Sequence, residues 1–255
     1  WPWDGPFFFD FSTLWDMYKT QLPLVLSLFP DEGAAIVNAM LTVVEMEGNF
    51  PIGYRLARGY DRFSHQASAL GHVVIADAFH RRLPGIDWER ALTLMSKDLG
   101  REYGEAFFQD GVVHPLTHTL DLAYGCFCTA AIATEIGDTT VAAQMLEYAS
   151  QWKNAFDKTG LLRDSTYYEG SKYNYSFRLL HDMASRISLA GGDTAFVDLL
   201  DTFFGYAADS VPAPGVSPCR TEMAEGELLG RFEGFNNEPD MESPYAYIYA
   251  GRHDR

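Results

Sequence analysis

The stretch Thr117-His-Thr-Leu-Asp-Leu-Ala-Tyr-Gly-Cys-Phe-Cys-Thr-Ala-Ala-Ile-Ala-Thr-Glu-Ile136-Gly137-Asp138 reads as the end of one helix and the start of the next. A largely apolar run stops at Gly137, the residue type that lets a chain leave a helix in the left-handed conformation. Asp138 then offers a side-chain oxygen to the unpaired N–H groups of a new first turn. Two helices joined by so short a link fold back on each other as a hairpin. Helices are therefore expected over about 117–136 and 138–157.

The same punctuation recurs outward from this point. Towards the N-terminus, residues 1–10 are rich in Pro, Gly and aromatics and read as a loop. A helix is expected from about Ser12, kinked or split by Pro23. Pro30-Asp31-Glu32 suits a first turn, and Ile36, Val37, Met40, Leu41 and Val44 follow the helical period as far as Gly48. Ala67, Ala69, Leu70, Val73, Val74, Ala76 and Ala78 make a helix over about 64–82 that is apolar nearly all round, hence buried. Asp87 caps a helix to about Leu99, and 101–117, with Gly104 and Gly111, reads as irregular. Towards the C-terminus, helices are expected over about 172–190, closed by Gly191-Gly192, and from Asp193 to Tyr206. A loop marked by Pro212, Pro214 and Pro218 leads to a last helical segment near Tyr245–Ala250. No strand is expected.

Short links (84–87, 137–138, 191–193) alternate with long ones (49–63, 101–117, 158–171, 207–244). That alternation predicts an all-α fold, a single domain over 1–255, with the long loops on one face. A toroid of helical hairpins of the (α/α)6 type, incomplete here, fits it best; a plain helical bundle is the alternative.

Composition narrows the function. In 255 residues, 47% are hydrophobic and 15% aromatic, enough for a sizeable core. The net charge of −16 repels a phosphate backbone, so nucleic acid is a poor partner, and so is an anionic membrane. No apolar run is long enough to span a bilayer. Cys126 and Cys128 stand two apart in an apolar segment, neither a zinc nor a redox spacing, and read as buried thiols. The chain opens at Trp1 without a methionine or signal peptide and stops soon after an aromatic run, so we expect it to be a piece of a longer polypeptide.

Two stretches carry candidate chemistry. In Ser165-Thr-Tyr-Tyr-Glu169-Gly-Ser-Lys-Tyr-Asn-Tyr-Ser-Phe-Arg-Leu-Leu-His-Asp182, a single carboxylate sits among Tyr167, Tyr168, Tyr173 and Tyr175. Aromatic surroundings hydrate a carboxylate poorly and raise its pKa, which makes a proton donor usable near neutrality. Aromatic rings beside a carboxyl also suit a sugar. On local grounds the commoner reading is a helix-start cap with core tyrosines. In Gly234-Phe-Asn-Asn237-Glu238-Pro-Asp240-Met-Glu242-Ser-Pro-Tyr245, closely spaced oxygen donors suit a hard cation such as Ca²⁺. A solvated acidic loop is the commoner explanation of that pattern alone.

Taken together, these stretches resemble the family 92 glycoside hydrolases, calcium-dependent exo-acting α-mannosidases. Asn237-Glu238-Pro239 with Pro244-Tyr245 is similar to that family's Gly-Asn-Glu-Pro loop. Tyr168-Glu169-Gly170 with Tyr175 and His181-Asp182 is similar to its Glu-Gly…Tyr…His-Asp motif. Trp15-Asp16-x-Tyr18-x-Thr20 with Pro23-Leu24, Thr119-Leu120 with Ala123-Tyr124, and Gly191-Gly192 follow the family's order over about 11–251.

The resemblance implies an inverting hydrolase of terminal α-mannose on glycans. Glu169 would be its general acid, and Glu238 with the Asn237 carbonyl would bind Ca²⁺. Trp15 and Asp16 would line the mannose pocket, and Asp240 and Glu242 would contact substrate. It also implies an extracellular or periplasmic location and further domains of the same polypeptide, including an N-terminal β-sandwich absent from these residues.

The chain departs from the family pattern in three places. Asp240, Met241 and Glu242 stand where histidines are usual, Gly125 and Cys126 stand where acids are common, and the Asn-Asp-Asp-x-Gly motif of the base is not in these residues. The 255 residues alone are therefore expected to be inactive. Another helical-toroid carbohydrate enzyme, of α-glucosidase or phosphorylase type, and a non-catalytic scaffold or sugar-binding module are the rival readings.

Overall fold

The computed structural model describes residues 9–11, 13–50, 53–55, 59–61, 67–101, 103–163, 172–204 and 241–255, with backbone only at 53–55, 59–61 and 172. The chain forms two compact units, Trp1–Trp152 and Lys153–Arg255. The expected loop face falls largely outside the described residues.

In the first unit, the segment expected to be kinked or split is split, into α1 (Leu14–Met17) and α2 (Gln21–Leu28). The break falls before Gln21, and Pro23 lies in the first turn of α2, where an N–H has no intrahelical acceptor to lose. α3 (Pro30–Glu47) begins and ends as its sequence requires: Pro30 and two acids open it, and Gly48 closes it at φ +87°. A short antiparallel hairpin follows, β1 (Gly53–Arg55) with β2 (Gly59–Asp61), Tyr54 opposite Tyr60. This corrects the expectation of no strand; three residues are too few to show alternation.

α4 (Leu70–His80) starts later than the apolar pattern suggests. The reason is a tertiary capture. Ser68 N–H donates to Asp121 Oδ2 (3.0 Å), its Oγ pairs with His118 Nδ1 (2.6 Å), and Ala69 turns to φ +54°. α5 (Trp88–Leu99) is capped by Asp87, whose carboxylate accepts from Arg90 N–H at 3.0 Å. The expected irregular stretch after it holds a further helix, α6 (Tyr103–Asp110). Gly104 is there for space and not as a loop marker: a Cβ on it would collide with the Leu99 carbonyl. α7 (Leu116–Ile136) and α8 (Thr139–Ala149) form the expected hairpin. Gly137 sits at φ +89°, and Asp138 accepts from Val141 N–H at 3.0 Å. The helix expected to reach Asp157 tightens instead to a 3₁₀ turn over Ser150–Ala155. The core of this unit joins α1–α5 to α7, through residues such as Leu14, Leu22, Met40, Ile75, Met95 and Ile132.

In the second unit the helix expected over 172–190 is broken. α9 (Lys172–Ser176) stops, and α10 (Met183–Leu189) starts afresh at Asp182, whose carboxylate accepts from Ser185 N–H at 3.0 Å. A competing cap thus overrides a continuous apolar period. Gly191 and Gly192, both at φ +98°, turn the chain into α11 (Asp193–Phe204). A 3₁₀ turn (Ser243–Tyr245) leads into α12 (Ala246–Tyr249). Phe177, Phe196 and Phe203 form the aromatic centre, with Phe177–Phe203 ring centroids 5.5 Å apart.

Candidate active site

Four of the expected site residues, Glu169, Asn237, Glu238 and Asp240, lie outside the described residues, as do Tyr167 and Tyr168. What is described is the chain on both sides of Glu169 and the chain following the Asn-Glu-Pro loop.

The approach to Glu169 is a narrow stem. Phe156 pairs with Leu162, Asp157 N–H donates to Leu161 O (2.9 Å), and Arg163 N–H donates to Ala155 O (3.0 Å). Gly160 makes the turn at φ +80°. The departure is α9. Tyr175 is buried in the core, and Tyr173, partly buried, stacks on Phe203. Stem and departure are tied directly: Leu162 N–H donates to Ser176 Oγ at 2.9 Å. Arg186 ties them again, its Nη2 donating to Gly160 O (2.6 Å) and Ser176 O (3.1 Å).

Glu242 meets the same region. Its Oε1 accepts from Leu179 N–H at 3.1 Å and lies 3.8 Å from Arg178 Nε, with both side chains largely buried. The chain leaving the Glu169 segment and the chain leaving the Asn-Glu-Pro loop are therefore held together, though far apart in sequence. His181-Asp182 also has a visible role: hydrogen bonds from Ser185 hold the Asp182 carboxyl below its ordinary pKa, so it caps α10 as an anion. Trp15 and Asp16 lie in the first unit on α1. Trp15 is half-buried against the core and Asp16 is exposed.

The sequence reading missed a buried polar cluster in the first unit. Ser68, His118 and Asp121 are all largely shielded from solvent, and Tyr103 stacks on the His118 ring at 4.6 Å. Their residue types suggest nucleophilic catalysis, but their geometry does not. Asp121 binds the backbone of Ser68 while the Ser68 hydroxyl meets Nδ1, and burial leaves the hydroxyl no approach for substrate. The cluster is a clip that fixes the start of α4 on α7. His118 and Asp121, three apart in an apolar helix, were the available signal. Cys126 and Cys128 are buried thiols; burial raises both pKa values, that of Cys128 to about 12. Among the described residues no group of three or more His, Cys, Asp or Glu could hold a metal ion. None of the helices searched is long and apolar enough to cross a membrane.

Residues 4–255 match the family model of the glycosyl hydrolase family 92 catalytic domain. The chain belongs to that family. Solved family 92 structures share its fold. The α-mannosidase BT3965 from Bacteroides thetaiotaomicron superposes with a TM-score of 0.74 at 23% identity, over 95% of this chain and 34% of that one. The inverting mannosidase BT2199 of the same organism gives 0.71 at 21% identity, over 92% and 36%. The family 92 glycosyl hydrolase ccman5 gives 0.62 at 19%, over 95% and 32%. This family 92 chain thus spans about a third of these structures, and its fold is that of the part it covers. No curated protein matches it.

Proposed function

We propose that the full-length protein removes terminal α-linked mannose from glycans with inversion at the anomeric carbon. Glu169 is the general acid that protonates the leaving oxygen. A second carboxylate, not identified in this chain, deprotonates the attacking water across a gap of ~6.5–9.5 Å. Trp15, Asp16, Asp240 and Glu242 bind substrate, with Trp15 and Asp16 at the terminal mannose. The location proposed from the family resemblance is extracellular or periplasmic.

The observation that carries this reading is the Glu242–Leu179 contact: it joins the chain that follows Glu169 to the chain that follows Glu238, as a shared site requires. The family match and the likeness to structures described as an α-mannosidase and an inverting mannosidase support it further. The donors Glu238 and Asn237 carbonyl are hard oxygens, which fit Ca²⁺. When bound, the ion would hold the sugar hydroxyls that face it. The chain's own residues supply the proton and the hydrogen bonds that orient the ring.

Proton NMR of the sugar at the moment of release tests the stereochemistry. β-Mannose as the first product from an α-mannoside is expected; α-mannose would refute inversion. Calorimetry tests the ion site: Glu238→Gln is expected to weaken Ca²⁺ binding at least tenfold, and an unchanged affinity would remove Glu238 from it.

A further inference from the structure

Arg186 is fully buried, and the described residues offer it no carboxylate. Its guanidinium lies 4.1 Å from the Phe156 ring centroid and 5.2 Å from that of Phe196. Nη2 makes the two carbonyl bonds, while Nε and Nη1 are buried without a hydrogen-bond partner among the described residues. Burying a cation on such terms is costly, and an apolar side chain of the same volume would stabilise the fold at least as well. What an apolar residue could not do is bridge Gly160 O and Ser176 O.

Those two carbonyls belong to the stem that leads to Glu169 and to the end of the helix that leads away from it. Gly160 is also pressed on the α10 C-terminus, where an added Cβ would come within 2.8 Å of Ala190 Cβ. The stem, α9 and α10 thus converge on one planar group carried by α10, a helix that Asp182 caps. The fixed fork of an arginine suits a two-point tie in a way a lysine does not. General acid catalysis depends on placing the donor within hydrogen-bond reach of the leaving oxygen, and a misplacement of about 1 Å costs about 10²-fold.

We propose that Arg186 is a positioning residue for the acid: by bridging Gly160 and Ser176 it fixes both ends of the segment that carries Glu169. This rests on Glu169 being the acid. The test compares two substrates in the full-length protein, a mannose disaccharide and an aryl mannoside whose phenol leaves without protonation. For Arg186→Met, kcat on the disaccharide is expected to fall about 10²-fold, kcat on the aryl mannoside less than tenfold, and KM little. Arg186→Lys keeps charge and length but not the fork, and should show the same selective loss; it carries the test if Arg186→Met does not fold. Equal losses on both substrates, or no loss, would overturn the proposal. Glu169→Gln, run alongside, separates the two ideas. If it is selective and the Arg186 variants are not, the positioning role alone fails. If it is not selective, the acid assignment fails and the positioning role with it.

Discussion

His72 shows how a single residue can be chemically conspicuous and still structural. It is fully buried on α4, with Nε2–H donating to Met95 O at 3.0 Å and the Phe50 ring edge-on at 5.0 Å. Burial holds its pKa down, to about 4, against an ordinary value near 6.5. Asp98, 3.9 Å away, does not reverse this, since its Oδ1 also accepts from Phe50 N–H. The unfolded chain therefore binds a proton that the folded chain refuses between these values. The stability that neutral His72 contributes is complete above pH 6.5 and is lost as pH falls towards 4, by about 3 kcal/mol. Urea unfolding from pH 7.5 to 4 should show this slope, and His72→Gln should flatten it; an equal slope in both proteins would exclude His72 as the cause. None of this was legible in the sequence, where a histidine in an apolar helix looks like any other. The same holds for Arg186. Its value lies in two carbonyls remote in sequence, and no local pattern announces such partners.

Helices were legible where local chemistry and tertiary packing agree. The α7–α8 hairpin is the clearest instance: Gly137 and Asp138 do in the fold what their types do anywhere. Gly104 and the 172–190 segment are the opposite instances. Gly104 signals a loop by composition, yet it permits a helix to begin against Leu99. The apolar period over 172–190 signals one helix, yet Asp182 offers a better start than continuation does. These differences give distinct expectations. Asp138→Ala should destabilise the fold by about 1 kcal/mol, the worth of a side-chain cap. Gly104→Ala should cost more, about 2 kcal/mol, because the added methyl meets backbone that cannot yield. Thermal unfolding checks both. If Gly104→Ala were neutral, close approach would not be the reason for that glycine.

At the scale of the whole molecule, the family was legible because several weak motifs stood in one order over most of the chain. The all-α class followed from helix punctuation; among the described residues the short hairpin β1–β2 and the Phe156–Leu162 bridge depart from it. The site residues stand as a proposal, since most of them lie outside the described residues. Glu169, Asn237, Glu238 and Asp240 were found by resemblance. The structure contributes the chain that flanks them in sequence: the stem, the Arg186 bridge and the Glu242–Leu179 tie. The central claim is that Glu169 donates the proton to the leaving oxygen. The most direct measurement is kcat of the full-length Glu169→Gln variant on the disaccharide and on the aryl mannoside at one pH. The account predicts a loss of about 10²–10⁴ on the disaccharide, with turnover of the aryl mannoside largely kept. Losses of equal size on the two substrates would contradict it.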